Sequence, residues 1–325
     1  MAGSKTSTEL IQSIKVRAMI PTSQNTFTDE DFLRFATEEL QNSMFGEILR
    51  HHEDFFLYSV EVPLESGVTK YRIPARAGGV RLREVQYRGT SGNLQELTRI
   101  EVQDLPSYAN SNTGSNISAF YVQNNNIALL PNVNENSLGS GSLVFYFYMT
   151  PNDIVTERRT ARITNINRDT GEIAIDSVPR DSNGNLLFSA TTKLDFISQD
   201  SPHSCELFDV LPEAVNSTTD DITLVIADIP STLTVGDVVS LAGESLYPQI
   251  PAEQHMQLAM RAAMRCMTAL GDLQGYQNIK DELVETSKNT TSIIDNRVEG
   301  APRKVVNRHG ILRDGLFKRR FKFRS

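Results

Sequence analysis

PAEQHMQLAMRAAMRCMTALGD, residues 251–272, decides how this chain is organised. Met256, Ala259, Met260, Ala263, Met264, Met267 and Leu270 recur at three- and four-residue intervals, with Glu253, Gln257, Arg261 and Arg265 off that stripe. This is the pattern of a helix with one buried face. The methionines could form an adaptable binding surface, but core packing is the preferred reading. Pro248 and Pro251 precede the run and Gly271 ends it; Asp272 is placed to cap a successor, on which Leu273, Tyr276, Ile279 and Leu283 carry an apolar face to about Ser287. Two such helices predict a hairpin that needs further helices to cover it.

The cover is predicted at the other end of the chain. Thr6 and Glu9 have the spacing of a capping box ahead of Leu10, Ile11, Ile14 and Ala18, and Pro21 closes that helix. Thr28 opens a second helix with Asp29 and Glu30 in its first turn and Phe27 and Phe32 in the positions of a hydrophobic staple. Phe32, Phe35, Ala36 and Leu40 share a face that runs on to about Arg50.

Between the helical ends the period changes from 3.6 to 2. Phe56–Val62, Thr69–Ile73 and Arg81–Tyr87 read as strands broken by Pro63, Gly67, Pro74 and the Gly78-Gly79 pair, and Ser107–Asn126 is an Asn/Ser-rich stretch with the composition of a long loop. Strands resume at Ala119–Val122, Ile127–Leu130 and Leu143–Met149. Glu157–Ala242 reads as a small all-β unit. It starts with a hairpin, Ala161–Ile166 and Glu172–Asp176, around a turn ending at Gly171. A turn at Asn183-Gly184 follows, then strands at Lys193–Ile197, Ile222–Ile226 and Asp237–Leu241. The prediction is an α+β fold: a helical bundle from the N- and C-terminal helices, a large β-rich insertion (barrel or sandwich), and an extended C-terminal arm. The segments are 1–54, 55–155, 156–247, 248–294 and 295–325.

Charge is unevenly placed. From Arg297 to Ser325 ten Lys/Arg face two acids, a net of +8; the remaining residues hold 22 basic and 38 acidic side chains, a net of −16. Basic residues Arg297, Arg303, Lys304, Arg308, Arg313, Arg319 and Arg320 alternate with Phe317, Phe321 and Phe323, with no lasting helical period. Such a segment reads as an arm that becomes ordered on a partner. Docking on an acidic protein surface, arginines to carboxylates and phenylalanines into pockets, is preferred. Nucleic-acid binding and a plain solvated tail are the alternatives, the first opposed by the acidic body.

Chemistry-bearing spacings are missing. The chain has no Gly-x-Gly-x-x-Gly, Gly-x-x-x-x-Gly-Lys, Gly-x-Ser-x-Gly or His-Glu-x-x-His. His51-His52-Glu53-Asp54 reads as polar residues at a helix end, since neighbours in sequence point apart. His203 and Cys205 lack further metal partners, and Cys205 reads as a small buried residue. The expectation is a non-enzyme with no catalytic residue, metal or cofactor. No stretch approaches the length of a membrane span and the amino end lacks an apolar signal core, so a protein made and kept in a cytoplasm is expected.

The order of these features resembles a known family. Thr28-Asp29-Glu30-Asp31 opens a helix running into Glu38-Glu39-Leu40. Tyr71-Arg72-Ile73-Pro74, Gly78-Gly79 and Leu82-Arg83-Glu84-Val85 follow. Gly236-Asp237, Pro248-Gln249-Ile250-Pro251, Leu270-Gly271-Asp272 and the Glu-Gly-Ala-Pro-Arg-Lys core of 297–308 complete the series. Together they resemble head-to-tail adaptor (connector, tail accessory) proteins of tailed bacteriophages. The resemblance implies a structural protein of the virion neck, assembled in the host cytoplasm. It also implies a ring, commonly of twelve copies, with the arm against the portal protein, the β insertion facing outward or toward tail-tube, nozzle or fibre proteins, and double-stranded DNA passing through. The smallest adaptors are nearly all helical, so the large β portion leaves a different neck or tail-tube role open.

Overall fold

A computed structural model of the chain describes residues 4–21, 26–52, 54–65, 67–106, 117–130 and 141–294. The chain divides into two units, Met1–Ile294 and Asp295–Ser325; the second lies outside the described residues, as do residues 107–116, the first half of the Asn/Ser-rich stretch, whereas its second half is not a loop throughout but contains a strand at Ala119–Gln123.

Local signals set the helices. In α1 (Ser7–Arg17) the Glu9 carboxylate accepts from the Thr6 amide at 3.0 Å while Thr6 Oγ1 accepts from the Glu9 amide. In α2 (Asp29–Glu39) Thr28 and Asp31 form the same reciprocal pair, and the Phe27 and Phe32 rings meet at 5.7 Å as the staple. The helical path continues through a π turn at Leu40–Met44 into α3 (Phe45–His51). The wider turn keeps Leu40, Met44 and Ile48 all in the core. Near the end of the described chain, α4 (His255–Leu270) stops at Gly271, whose φ of +75° is the left-handed cap that glycine adopts without strain. Asp272 Oδ1 then accepts from the Gly275 amide at 2.9 Å and starts α5 (Leu273–Ile294), which extends past the Ser287 expected.

These helices bury one hydrophobic cluster, with Leu10 and Ile14 of α1, Phe32 and Ala36 of α2, and Leu258, Ala259, Ala262 and Cys266 of α4 at its centre. The buried face of α4 is broader than its methionine stripe. Met260 and Met267 are inside and Met256 and Met264 pack at the margin, but Leu270 and Leu273, expected to be covered, are 49% and 77% exposed because they sit at the tip of the hairpin. Gln257, expected on the polar side, is buried; its Nε2 donates to the Thr286 carbonyl of α5 at 3.5 Å.

The β portion forms open sheets. One has the order β1-β8-β3-β4 and is antiparallel: β1 Leu57–Pro63, β3 Ala77–Arg88, β4 Leu94–Glu96, β8 Ser142–Met149. A second has the order β2-β7-β6-β5: β2 Lys70–Arg72, β5 Thr98–Arg99, β6 Ala119–Gln123, β7 Asn126–Leu130. Val85, Phe120, Ile127, Leu129, Phe145 and Phe147 share a core between them. Gly78-Gly79, expected to break a strand, lies inside β3. The register against β8 shifts there, Gly79 takes a φ of +61°, and a Cβ on Gly78 would stand 3.1 Å from the Phe45 ring of α3. The glycines thus let a bulged strand approach a helix.

The third sheet has seven strands in the order β13-β12-β16-β10-β11-β15-β14: β10 Ala161–Asn167, β11 Glu172–Ile175, β12 Leu194–Ile197, β13 Cys205–Val210, β14 Ala214–Asn216, β15 Asp221–Thr223, β16 Val238–Leu241. The order is linear, with β13 and β14 at its edges, so no closed barrel forms among the described residues. The barrel expectation fails because no pairing joins the two ends. The β10–β11 hairpin turns at Gly171 as expected (φ +77°). The strand expected at Ile222–Ile226 is shorter, giving way to a 3-10 turn at Ile226–Asp228. A short parallel pair, β9 (Asp153–Ile154) with β17 (Glu244–Ser245), lies beside α2.

Candidate functional site

All ten residues expected to carry docking (Arg297, Arg303, Lys304, Arg308, Arg313, Phe317, Arg319, Arg320, Phe321, Phe323) lie outside the described residues. What the structure does place is a buried polar junction, a histidine pair and a cleft beside α2.

The junction centres on Asp195 of β12, fully buried. Its Oδ2 accepts from Arg76 Nη1 (3.0 Å), Asn152 Nδ2 (2.8 Å) and the Gly243 amide (2.9 Å), and its Oδ1 accepts from the Asp209 amide (2.9 Å). Arg76 also reaches Asp209 at 3.1 Å and the Asn152 side-chain oxygen. The Asn152 amide donates to Gln249 Oε1 at 2.7 Å, just ahead of α4. One carboxylate therefore links the β2–β3 connection, the β8–β9 connection, two strands of the seven-stranded sheet and the entrance to the helical cluster. Four donors on one buried carboxylate satisfy its lone pairs, which is what makes a charge tolerable there. This is a mechanical joint: every polar atom on the carboxylate is occupied by protein.

Neither cysteine is set up for nucleophilic work. Burial pushes the Cys205 thiol well up, with Asp195 adding to the effect, and burial moves the Cys266 thiol up to about 11. Tyr58, whose oxygen accepts from the Cys205 amide at 3.0 Å, is likewise raised by burial. His51 ends α3, as read from the sequence, and Asp54 pairs with Arg83; Glu53 is outside the described residues. No group of three or more metal-ligating side chains occurs among the described residues, and none of their helices is long and apolar enough to cross a membrane.

The cleft, about 470 Å³, lies between α2 and the β9 segment. Leu33 and Ile154 supply apolar lining, Glu30 and Glu38 bring carboxylates, and Arg159 is tied to Glu244 through Nε at 3.1 Å. The histidine pair, His203 and His255, is buried between the segment before α1 and the start of α4.

Sequence reasoning anticipated neither the junction nor the histidine pair. Gly243 sits among residues that look like turn punctuation, and the partners of Asp195 are scattered from residue 76 to residue 243.

No curated protein matches the sequence. The family model described as SU10 adaptor protein matches residues 5–294, which spans the helical cluster, all the sheets and the Asp195 junction. The chain therefore belongs to the SU10 adaptor protein family, and is a phage adaptor-type protein of the virion that joins other phage structural proteins.

Proposed function

We propose that this protein is a head-to-tail adaptor: a non-enzymatic ring subunit that docks on the portal of a tailed phage and links it to the tail. The observation that carries the reading is family membership over residues 5–294. The charge distribution supports the docking mode, since an acidic body of net −16 ends in an arm of net +8 that also bears Phe317, Phe321 and Phe323. Arginines that pair with carboxylates and aromatic rings that fill pockets are the residue types that dominate protein interfaces. The helices from both ends of the described chain form the bundle, and the β-rich insertion serves as a platform for tail components.

In a ring of about twelve copies, each with the same faces, heterologous contacts close on themselves. Duplex DNA carries a charge about every 1.7 Å, so an acidic lumen wall repels it and favours passage over retention. Assembly becomes sequential when the arm's ordering cost is met only on the portal.

The test is removal of residues 295–325, followed by mixing with portal rings and sedimentation. Complexes should be lost while the truncated protein stays folded. Complexes of normal stoichiometry would show that the arm is not the dock. A tail-tube or nozzle subunit is the second reading, favoured by the extent of the sheets; that subunit would bind tail components but not the portal directly.

A further inference from the structure

The segment ahead of α1 is fastened to the body by two buried histidines. The Lys5 amide donates to His255 Nδ1 at 3.0 Å, and Ser4 Oγ bonds His203 Nε2. The Ser7 amide completes the attachment by donating to the Leu246 carbonyl at 3.0 Å. Beneath this, the His203 ring stacks on Tyr247 with centroids 4.3 Å apart and planes 8° from parallel, and His255 stands 5.7 Å from His203.

The hydrogen bonds set the protonation states. Lys5 offers only an N–H to His255, so Nδ1 must be a bare acceptor, and the proton on Nε2 goes to the Ile250 carbonyl at 3.2 Å. His203 must donate from Nδ1 to the Ser198 carbonyl at 3.1 Å and meets a hydroxyl at Nε2. The two rings respond differently to a proton. A hydroxyl rotates from donor to acceptor, so Ser4 can accommodate a charged His203. A backbone amide cannot reverse, so a proton on His255 Nδ1 would face the Lys5 N–H donor to donor.

We propose that His255 is a proton-operated latch on the amino-terminal segment: its protonation breaks the Lys5 bond and frees residues 4–7 together with the first turn of α1. The charged surroundings fit a neutral resting state. His203 and Lys5 both disfavour a second positive charge near His255. The Lys5 ammonium is turned to Ser13 Oγ at 2.8 Å, with Arg17 and Glu9 as its charged neighbours on α1. Asp200 acts on His203 from the loop side, and Tyr247 presents its ring face. Burial, then His203, hold the His255 pKa down at about 4, against an ordinary value of 6.5. The closed latch therefore excludes the proton, and the open form takes it up as pH falls below about 6.5. Weighing the two states at pH 5 against pH 7 gives an opening increase of about twentyfold.

The experiment is hydrogen exchange on the full-length protein at pH 7 and pH 5, corrected for intrinsic rates and read at the Ser7 and Leu10 amides. The interior amides of α4, Leu258–Ala262, report unfolding of the whole fold, which the same titration also favours. Loss of protection at Ser7 and Leu10 by tenfold or more is expected, at an opening free energy below that of the α4 amides, and abolished in His255→Gln, whose amide can accept from Lys5 and donate to Ile250 but cannot titrate. A loss under threefold overturns the latch, as does an equal loss in His255→Gln, or protection at Ser7 and Leu10 as high as in α4, which would mean that the segment opens only with the whole fold. Should that variant not fold, an NMR titration of the unmodified protein decides. A His255 midpoint below 5 that coincides with the change at Ser7 supports the latch; a midpoint near 6.5, or one unlinked to Ser7, removes it.

Discussion

Removing the Asp195 carboxylate is the most demanding perturbation of the joint between the sheets and the helices. Asp195→Ala leaves the Arg76 guanidinium, only 15% exposed, with Asp209 as its remaining charged partner. It also strands donors on Asn152, Asp209 and Gly243. Breaking a buried ion pair from one side costs about 3–5 kcal/mol, because what remains is an uncompensated charge. The residual Asp209 contact at 3.1 Å argues for the lower half of that range, against which the stranded amides add about 1 kcal/mol or more each. A net loss of about 6 kcal/mol should lower the melting temperature by roughly 10 °C. The assay is urea and thermal unfolding followed by far-UV circular dichroism, beside Arg88→Ala as control. Arg88 is 41% exposed and bonds Glu61, itself 44% exposed, at 2.7 Å, so its loss should cost under about 1 kcal/mol. If Asp195→Ala is no worse than that control, the junction is not the structural joint described. Replacing Arg76 and Asp195 together by apolar residues should recover much of the loss, since the penalty comes from the orphaned charge and not from the absence of the pair.

Other perturbations follow from single features. Thr28→Ala removes one half of the α2 capping box and should cost about 1 kcal/mol, measured by urea midpoint. Gly171→Ala should cost about 2 kcal/mol or more, because φ is +77° and the added Cβ would sit 2.3 Å from the Leu224 carbonyl oxygen; Asn167→Ala in the same turn should do less damage. Stability should fall on acidification. The folded-state pKa of His255 is depressed from 6.5 to about 4, so the unfolded chain binds more protons between those values, and stability that is complete above pH 6.5 is lost as pH drops toward 4. The full effect is about 3 kcal/mol, and His255→Gln should flatten the pH profile of the unfolding midpoint.

Much of the helical part was legible because its signals are local. The Thr6–Glu9 spacing, the Phe27–Phe32 staple, the Gly271 stop and the Asp272 cap each involve residues within five positions, and each holds. The sheets were legible where an apolar run is unbroken, as in Leu143–Met149, and illegible where bulges interrupt the pattern. β13 slips register twice against β12 and contains Asp209 at a φ of +56°, so Cys205–Val210 shows no period of two. Glycine was ambiguous: Gly171 ends a hairpin as read, whereas Gly78-Gly79 admits Phe45 against a continuous strand. Gln257 shows why polarity alone misassigns a helix face, since a partner on α5 makes it buriable. The Asp195 junction and the His203–His255 pair could not be read at all, because residues brought together from 76, 152, 195 and 243, or from 4, 203 and 255, share no spacing in sequence.

Electron microscopy of the full-length protein mixed with portal rings should show a closed ring of adaptor copies seated on the portal, with residues 295–325 lying against portal surface and the sheets directed away from it. Absence of a complex, or a ring that contacts the portal only through residues 1–294, would contradict that arrangement.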